Sequence, residues 1–269
     1  WQKFAMKIYR NNNIIEPILD FFKIKEDFKK QQELKKISKP KKKIDNEKYF
    51  APIGEKKYLF LTEGDSATGG VQGSLGRKGI GYFSLRGKPL NVFDVKTLRL
   101  AANKEIQSIV DVLGLDMTSQ DTDMEFENVV FLSDQDSDGN HIRSLLLTFF
   151  FKFAPKMIKD GRILFMNTPL VVAKKGKEIK HWFFDIPSYH KFLKTNQEKF
   201  DWTYYKGLGT WTKEDLQSII EKVGGIEKMF VKFEMTEKSK NDIKTWMSNS
   251  EADARKEKLR GKSFNISTI

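Results

Sequence analysis

With 269 residues, 39% of them hydrophobic and 13% aromatic, the chain can bury a sizeable core in one large domain or one and a half. It contains no cysteine, which excludes disulfides and thiolate metal sites and fits a reducing compartment. The net charge of +12 points to a polyanionic partner, because neutralising phosphates releases counterions and dominates such affinities.

That charge is uneven. Residues 1–50 hold 14 Lys or Arg against 7 Asp or Glu, whereas Asp116 to Glu127 hold five acids and no base. A merely solvated Lys-rich helix and linker is the alternative reading of the basic end. Apolar runs such as Leu145 to Phe153 include Thr148 and Lys152 and fall short of a membrane span. There is no secretory signal and the first residue is Trp1, so a cytoplasmic segment of a longer protein is expected.

In chain order, Ile14 to Ile37 spaces Ile14, Ile18, Phe21, Phe22, Phe28 and Leu34 near a helical period among many charges. The Ser38-Lys-Pro40-Lys-Lys-Lys43 run breaks it, since Pro40 lacks a donor and disfavours helix at Lys39. From Lys57 short apolar strands alternate with helices, the signature of an α/β domain. Tyr58 to Leu61 reads as a strand that runs into Thr62-Glu63-Gly64-Asp65-Ser66-Ala67, with Asp65 or Ser66 as helix caps. Glu63 thus sits at a strand's carboxyl end, where α/β sheets place functional groups. Phe83 to Asn91 reads as a loop with two cations, Arg86 and Lys88, around Gly87, and Leu98 to Leu113 reads as one helix.

Asn128 to Leu132 reads as a buried strand leading into Asp134-Gln-Asp136-Ser-Asp138-Gly139. Side chains two apart in extended chain share a face, so the three acids are expected to converge. Clustered carboxylates repel, and a divalent cation between them keeps all of them ionised at neutral pH. A calcium loop is the rival reading, but with Asp134 at position 1 its twelfth position needs a bidentate Glu and holds Leu145. A plain Asx turn is the other.

Asn140 to Phe153 then reads as an amphipathic helix. Arg162 to Ala173 and Ile179 to Phe184 read as strands joined at Gly176. Tyr204 to Thr210 leads into a helix over Lys213 to Lys222 capped by Thr212, and Lys228 to Glu234 and Ser239 to Leu259 read as a strand and a charged helix. No phosphate-binding G-x-x-x-x-G-K-[ST] loop occurs, Gly76 to Gly81 does not fit G-x-G-x-x-G, and His141, His181 and His190 have no zinc spacing.

Four motifs recur in order: Leu61-Thr-Glu-Gly-Asp-Ser-Ala67, Leu85-Arg-Gly-Lys-Pro-Leu-Asn-Val92, Ser133-Asp-Gln-Asp-Ser-Asp-Gly-Asn-His-Ile142 and Tyr205-Lys-Gly-Leu-Gly-Thr210. Together they resemble the Toprim segment of type IIA DNA topoisomerases. The resemblance implies an α/β Toprim fold, a Rossmann-like parallel sheet flanked by helices, with an N-terminal helix and linker and a C-terminal strand-helix tail. It implies a division into residues 1–50, 51–224 and 225–269. It implies that Glu63, Asp134 and Asp136 bind one or two Mg2+, with Asp138 a further catalytic candidate, and that Arg86, Lys88, Asn91, His141 and Lys206 lie near the DNA backbone. The sequence leaves Glu63 open as a ligand or as an acid.

The family's cleavage nucleophile is a Tyr preceded by Arg, and none of the seven tyrosines here follows an Arg. The chain therefore resembles the ATPase and Toprim subunit of a split enzyme, as in bacterial gyrase and, more nearly, T4-like phage topoisomerases. That implies double-stranded DNA and a Tyr-bearing breakage-reunion subunit as partners in a two-fold hetero-oligomer. It also implies ATP at an upstream domain, a bacterial or infected-cell cytoplasm, and no activity of this segment alone. Toprim primases and nucleases, or a Ca2+ or DNA-binding module without chemistry, are the alternatives.

Overall fold

The computed structural model describes residues 12–37, 47–117, 123–205 and 207–262. The Lys-rich linker expected over Ser38 to Lys43, part of the acidic loop and Lys206 lie outside the described residues. Nine strands are present among them: β1 (Tyr49–Phe50), β2 (Ile53–Glu63), β3 (Lys78–Leu85), β4 (Asn128–Leu132), β5 (Ile163–Met166), β6 (Val171–Lys175), β7 (Glu178–Phe183), β8 (Asp201–Tyr204) and β9 (Phe230–Lys232). The helices are α1 (Asn12–Ile37), α2 (Gly64–Leu75), α3 (Thr97–Ala102), α4 (Lys104–Leu113), α5 (Ser137–Phe153), α6 (Pro155–Lys159), α7 (Ile186–Thr195), α8 (Lys213–Val223), α9 (Glu237–Met247) and α10 (Ala252–Leu259).

The main sheet has six strands in the order β1-β3-β2-β4-β5-β9. Its centre, β3-β2-β4-β5, is parallel, and the short edge strands β1 and β9 run antiparallel. Both faces are covered, as a parallel sheet requires. On one face Leu59, Leu61, Phe83, Leu85, Val129 and Phe131 pack with Ile106, Ile109 and Val110 of α4 and with Ile142, Leu146, Phe149 and Phe150 of α5. On the other, Tyr58, Phe60, Tyr82, Val130 and Leu132 meet Ala67 and Val71 of α2 and Leu216 and Ile219 of α8. The alternation along β2 and β4 thus assigns each residue to one of two cores. A second, three-stranded antiparallel sheet, β7-β6-β8, follows β5. Among the described residues no helix is long and apolar enough to cross a membrane.

The α/β reading and most elements agree with the sequence, and the differences have local causes. The helix expected over Leu98 to Leu113 is two, because the Asn103 side chain accepts from the Ile106 N–H at 2.9 Å and starts α4 afresh. The single strand expected over Arg162 to Ala173 is split between two sheets around Pro169, which cannot donate to a ladder. Neither Asp65 nor Ser66 caps α2, which begins at Gly64 directly after β2. Phe83 to Leu85, read as loop, closes β3, whose glycines obscure the strand pattern; Gly81 lies so close to the Phe126 ring that a Cβ would sit 3.0 Å from it. The charged C-terminal helix is broken between α9 and α10 by a short 3-10 turn over Asn249–Glu251.

Phe131 joins these layers. Its ring lies 5.7 Å from that of Phe150 and 5.4 Å from that of Phe233, and it is 1% exposed. Phe131→Ala is expected to cost about 3–5 kcal/mol, seen as a fall of roughly 10 °C in Tm by calorimetry.

Candidate metal centre and DNA-facing loops

The last pair of the β2–β4 ladder is Thr62 with Leu132, so Glu63 and the Ser133-Asp134 segment leave the sheet side by side at its carboxyl edge. The chain reaches β3 on one side of β2 and returns to β4 on the other. This is the topological switch point at which open α/β sheets bind ligands. Gly64, with φ +83°, turns the chain from Glu63 straight into α2. A Glu63 carboxylate oxygen, Oε2, accepts from the Asp134 N–H at 3.3 Å.

Asp136 is the N-cap of α5, its Oδ1 accepting from the Gly139 N–H at 2.8 Å. The Asp134 carboxylate lies against Gly207, where a Cβ would overlap it, and the Asp134 carbonyl crosses Gly139 in the same way. Both glycines are therefore required by close approach. Asp138 turns outward to Lys88, with Nζ 2.8 Å from Oδ1, and this pair holds its carboxyl below the usual aspartate value. Burial pushes the Glu63 carboxyl above its ordinary value; the Asp134 N–H opposes this, and the charges of Asp134, Asp136 and Asp138 add to the rise.

The expected convergence of three alternate acids is not found. Extended chain stops before Ser137, where α5 begins, so Asp136 is committed to the cap and Asp138 lies in the first helical turn facing Lys88. Among the described residues no three His, Cys, Asp or Glu side chains form a ready-made cage. The donor set nevertheless fits a hard divalent ion. Mg2+ prefers carboxylate oxygen, keeps several of its waters and needs only one or two carboxylates. Glu63, Asp134 and Asp136 are the residues that would hold it, since Asp138 is already ion-paired.

Of the residues expected near DNA, Arg86 and Lys88 are exposed on the loop after β3, with the Arg86 backbone N–H donating to Glu105 Oε1 at 2.6 Å. His141 is exposed on α5. Asn91 instead faces the interior of the chain. Its Nδ2 donates to the Met247 carbonyl at 2.8 Å and its Oδ1 accepts from the Phe93 N–H at 3.1 Å. With Asp94, which accepts from Ser248 Oγ at 2.9 Å and from the Asn249 N–H at 2.6 Å, it fastens the loop to the end of α9. The sequence reading missed Arg143, which reaches back under the acidic loop, and Gln135, which donates to Asn167 Oδ1 at 2.7 Å and to the Thr168 carbonyl at 2.8 Å. A cation inside an otherwise apolar helical run was the available signal for the former.

Residues 58–168 match the Toprim domain family, and residues 166–267 match the C-terminal associated domain of Toprim. The chain carries a Toprim domain followed by its C-terminal companion. The Toprim chain is 37% identical over 188 residues to a mitochondrial DNA topoisomerase 2 from Dictyostelium discoideum, covering 65% of this chain and 14% of that protein. It is 32% identical over 271 residues to DNA topoisomerase 2 of Plasmodium falciparum, covering 89% of this chain and 19% of the relative. A crystal structure of the DNA-binding, cleavage and re-ligation domain of Plasmodium falciparum topoisomerase II superposes with a TM-score of 0.74 at 30% identity, over 82% of this chain and 32% of that one. The chain is thus homologous to type II DNA topoisomerases and spans less than a fifth of these two curated relatives.

Two outcomes follow from this Toprim geometry. Gly139→Ala forces the Asp134 carbonyl aside and should cost about 2–3 kcal/mol in urea unfolding. A carboxyl whose folded value is raised adds stability below its unfolded value, and that contribution disappears as pH rises through the folded value. In metal-free buffer Glu63→Gln should therefore raise Tm relative to the unsubstituted chain at neutral pH and lose that advantage near about pH 4.

Proposed function

We propose that this chain is the Toprim part of an ATP-dependent type II DNA topoisomerase that, together with a tyrosine supplied from outside these residues, cleaves and rejoins both strands of a duplex for strand passage. The observation that carries the reading is the meeting of Glu63 with the Asp134 backbone at the switch point between β2 and β4. Homology to topoisomerases 2 and four motifs in family order support it over a Toprim primase or nuclease. In this reading residues 51–224 form the Toprim part, residues 1–50 lead into it and residues 225–269 follow as its tail.

In such a reaction a tyrosine oxygen attacks the phosphodiester and the 3′ oxygen leaves. A Mg2+ bound by Glu63, Asp134 and Asp136 would supply charge stabilisation at the nonbridging and departing oxygens. The chain's own groups do the rest. As a ligand Glu63 would be ionised. In the other role, as an acid holding a proton for the 3′ oxygen, it would leave the ion to Asp134 and Asp136, and burial, which pushes its carboxyl up, favours that protonated form when no ion is bound. Arg86 and His141 present donors to the backbone, and Lys88 exchanges Asp138 for a phosphate when DNA enters. Asp136, fixed by capping α5, keeps its place without rearrangement.

The narrower reading as a T4-like phage or gyrase-like split subunit in a two-fold hetero-oligomer draws no support from relatives named from Dictyostelium and Plasmodium, and neither does a bacterial or phage-infected setting. Whether the tyrosine arrives on the same or another polypeptide is decided by mixing the full-length protein with Tyr-bearing candidates and scoring Mg2+-dependent double-strand breaks. In the competent assembly, Glu63→Ala or Asp134→Ala should lower cleavage by about 10²–10³-fold or more while duplex affinity stays within about twofold. Unchanged cleavage by Glu63→Ala would leave only a DNA-binding or Ca2+-binding module.

A further inference from the structure

Arg143 lies on α5 seven residues after the Asp136 cap and four after Gly139, all on one helical face. Long helical side chains lean towards the N-terminus, and Gly139, without a Cβ, leaves the way open. The guanidinium reaches the turn beneath the acids: Nε donates to Ser133 Oγ at 2.9 Å and Nη2 to the Asp134 carbonyl at 3.0 Å. Its face lies 5.2 Å from the centroid of the Phe165 ring on β5. Ser133 in turn donates to the Gly139 carbonyl at 3.1 Å, so the turn is held from both sides. Burial pushes this guanidinium down from its ordinary value, and the charges of Glu63 and Asp136 offset part of that cost.

None of the four motifs includes Arg143, and a packing role alone would not need a cation. We infer that Arg143 is a positioning residue that serves as the built-in counter-cation of the acidic centre, pinning Ser133 and Asp134 while balancing Glu63 and Asp136 from the protein side. The inference rests on the metal-centre reading above and adds a specific claim to it. The site is charge-compensated from beneath before any divalent ion enters from the open side. An Arg suits this position because its planar fork satisfies two oxygens while its face packs on an aromatic ring.

The test is a double-mutant cycle on the whole chain in EDTA, with Tm read by differential scanning calorimetry. Arg143→Gln should lower Tm by about 5 °C. Glu63→Gln should raise Tm by clearly more in the Arg143→Gln background than it does alone, because there the carboxylate it removes is uncompensated. Arg143→Lys, which keeps the charge and loses the fork, should retain most of the stability. Additive effects of Glu63→Gln and Arg143→Gln, or a Lys variant as unstable as the Gln variant, would overturn the inference. If Arg143→Gln does not fold, a Lys variant that folds near the original Tm supports it, and one that fails equally contradicts it. A separate Mg2+ titration of the unsubstituted chain addresses the functional reading: absence of any Mg2+-induced rise in Tm counts against the metal centre, while the EDTA cycle still decides on Arg143.

Discussion

Parallel pairing of β2 with β4 ends at Thr62 and Leu132, and everything proposed for this protein depends on that shared end point. The two strands are distant in sequence, and the intervening chain must pass from β3 on one flank to β4 on the other. The fully buried alternation of Leu59 to Leu61 and Val129 to Phe131 fixes the register, since a one-residue slip would exchange the two cores. With the register fixed, Glu63 can only emerge beside Ser133 and Asp134. The acidic centre is therefore a consequence of hydrophobic packing below it.

Acids brought together this way destabilise one another, and the structure offsets the repulsion group by group. Asp136 is absorbed by a helix cap, Asp138 by Lys88, and Glu63 by the Asp134 N–H. Arg143 supplies charge from beneath. What remains is a Glu63 carboxyl that burial still pushes above its ordinary value. The loop carrying Arg86 and Lys88 is anchored elsewhere, through Lys152 to the Val92 and Phe93 carbonyls and through Asn91 and Asp94 to the end of α9. Its exposed cations thus project from a fixed base that also ties the Toprim core to the C-terminal helices.

Much of this was legible in the sequence because it is written in short-range patterns. Tyr58 to Leu61 and Asn128 to Leu132 announce buried strands, and the Thr212 cap and the Gly176 turn follow from single residues whose local chemistry is decisive. The alternation rule failed at Asp136 because a cap and a helix start intervene, a competition between local side-chain bonding and extended chain that a two-residue period cannot express. The anchoring role of Asn91 was hidden for the opposite reason. Its partner, Met247, is 156 residues away, and nothing local signals it. Arg143 and the close approach of Gly207 to Asp134 are likewise products of tertiary packing.

The central claim, that the joint end of β2 and β4 is a divalent-cation site built on Glu63 with Asp134 and Asp136, is tested most directly by a crystal structure of this chain grown with Mn2+ and read by anomalous scattering. The account predicts a peak at the carboxyl edge of those two strands, with oxygens of Glu63 and at least one of the two aspartates about 2.0–2.3 Å away. A fully loaded crystal with no peak there, or with the metal held at Asp138 or elsewhere and the Glu63 carboxylate still on the Asp134 N–H, would contradict it.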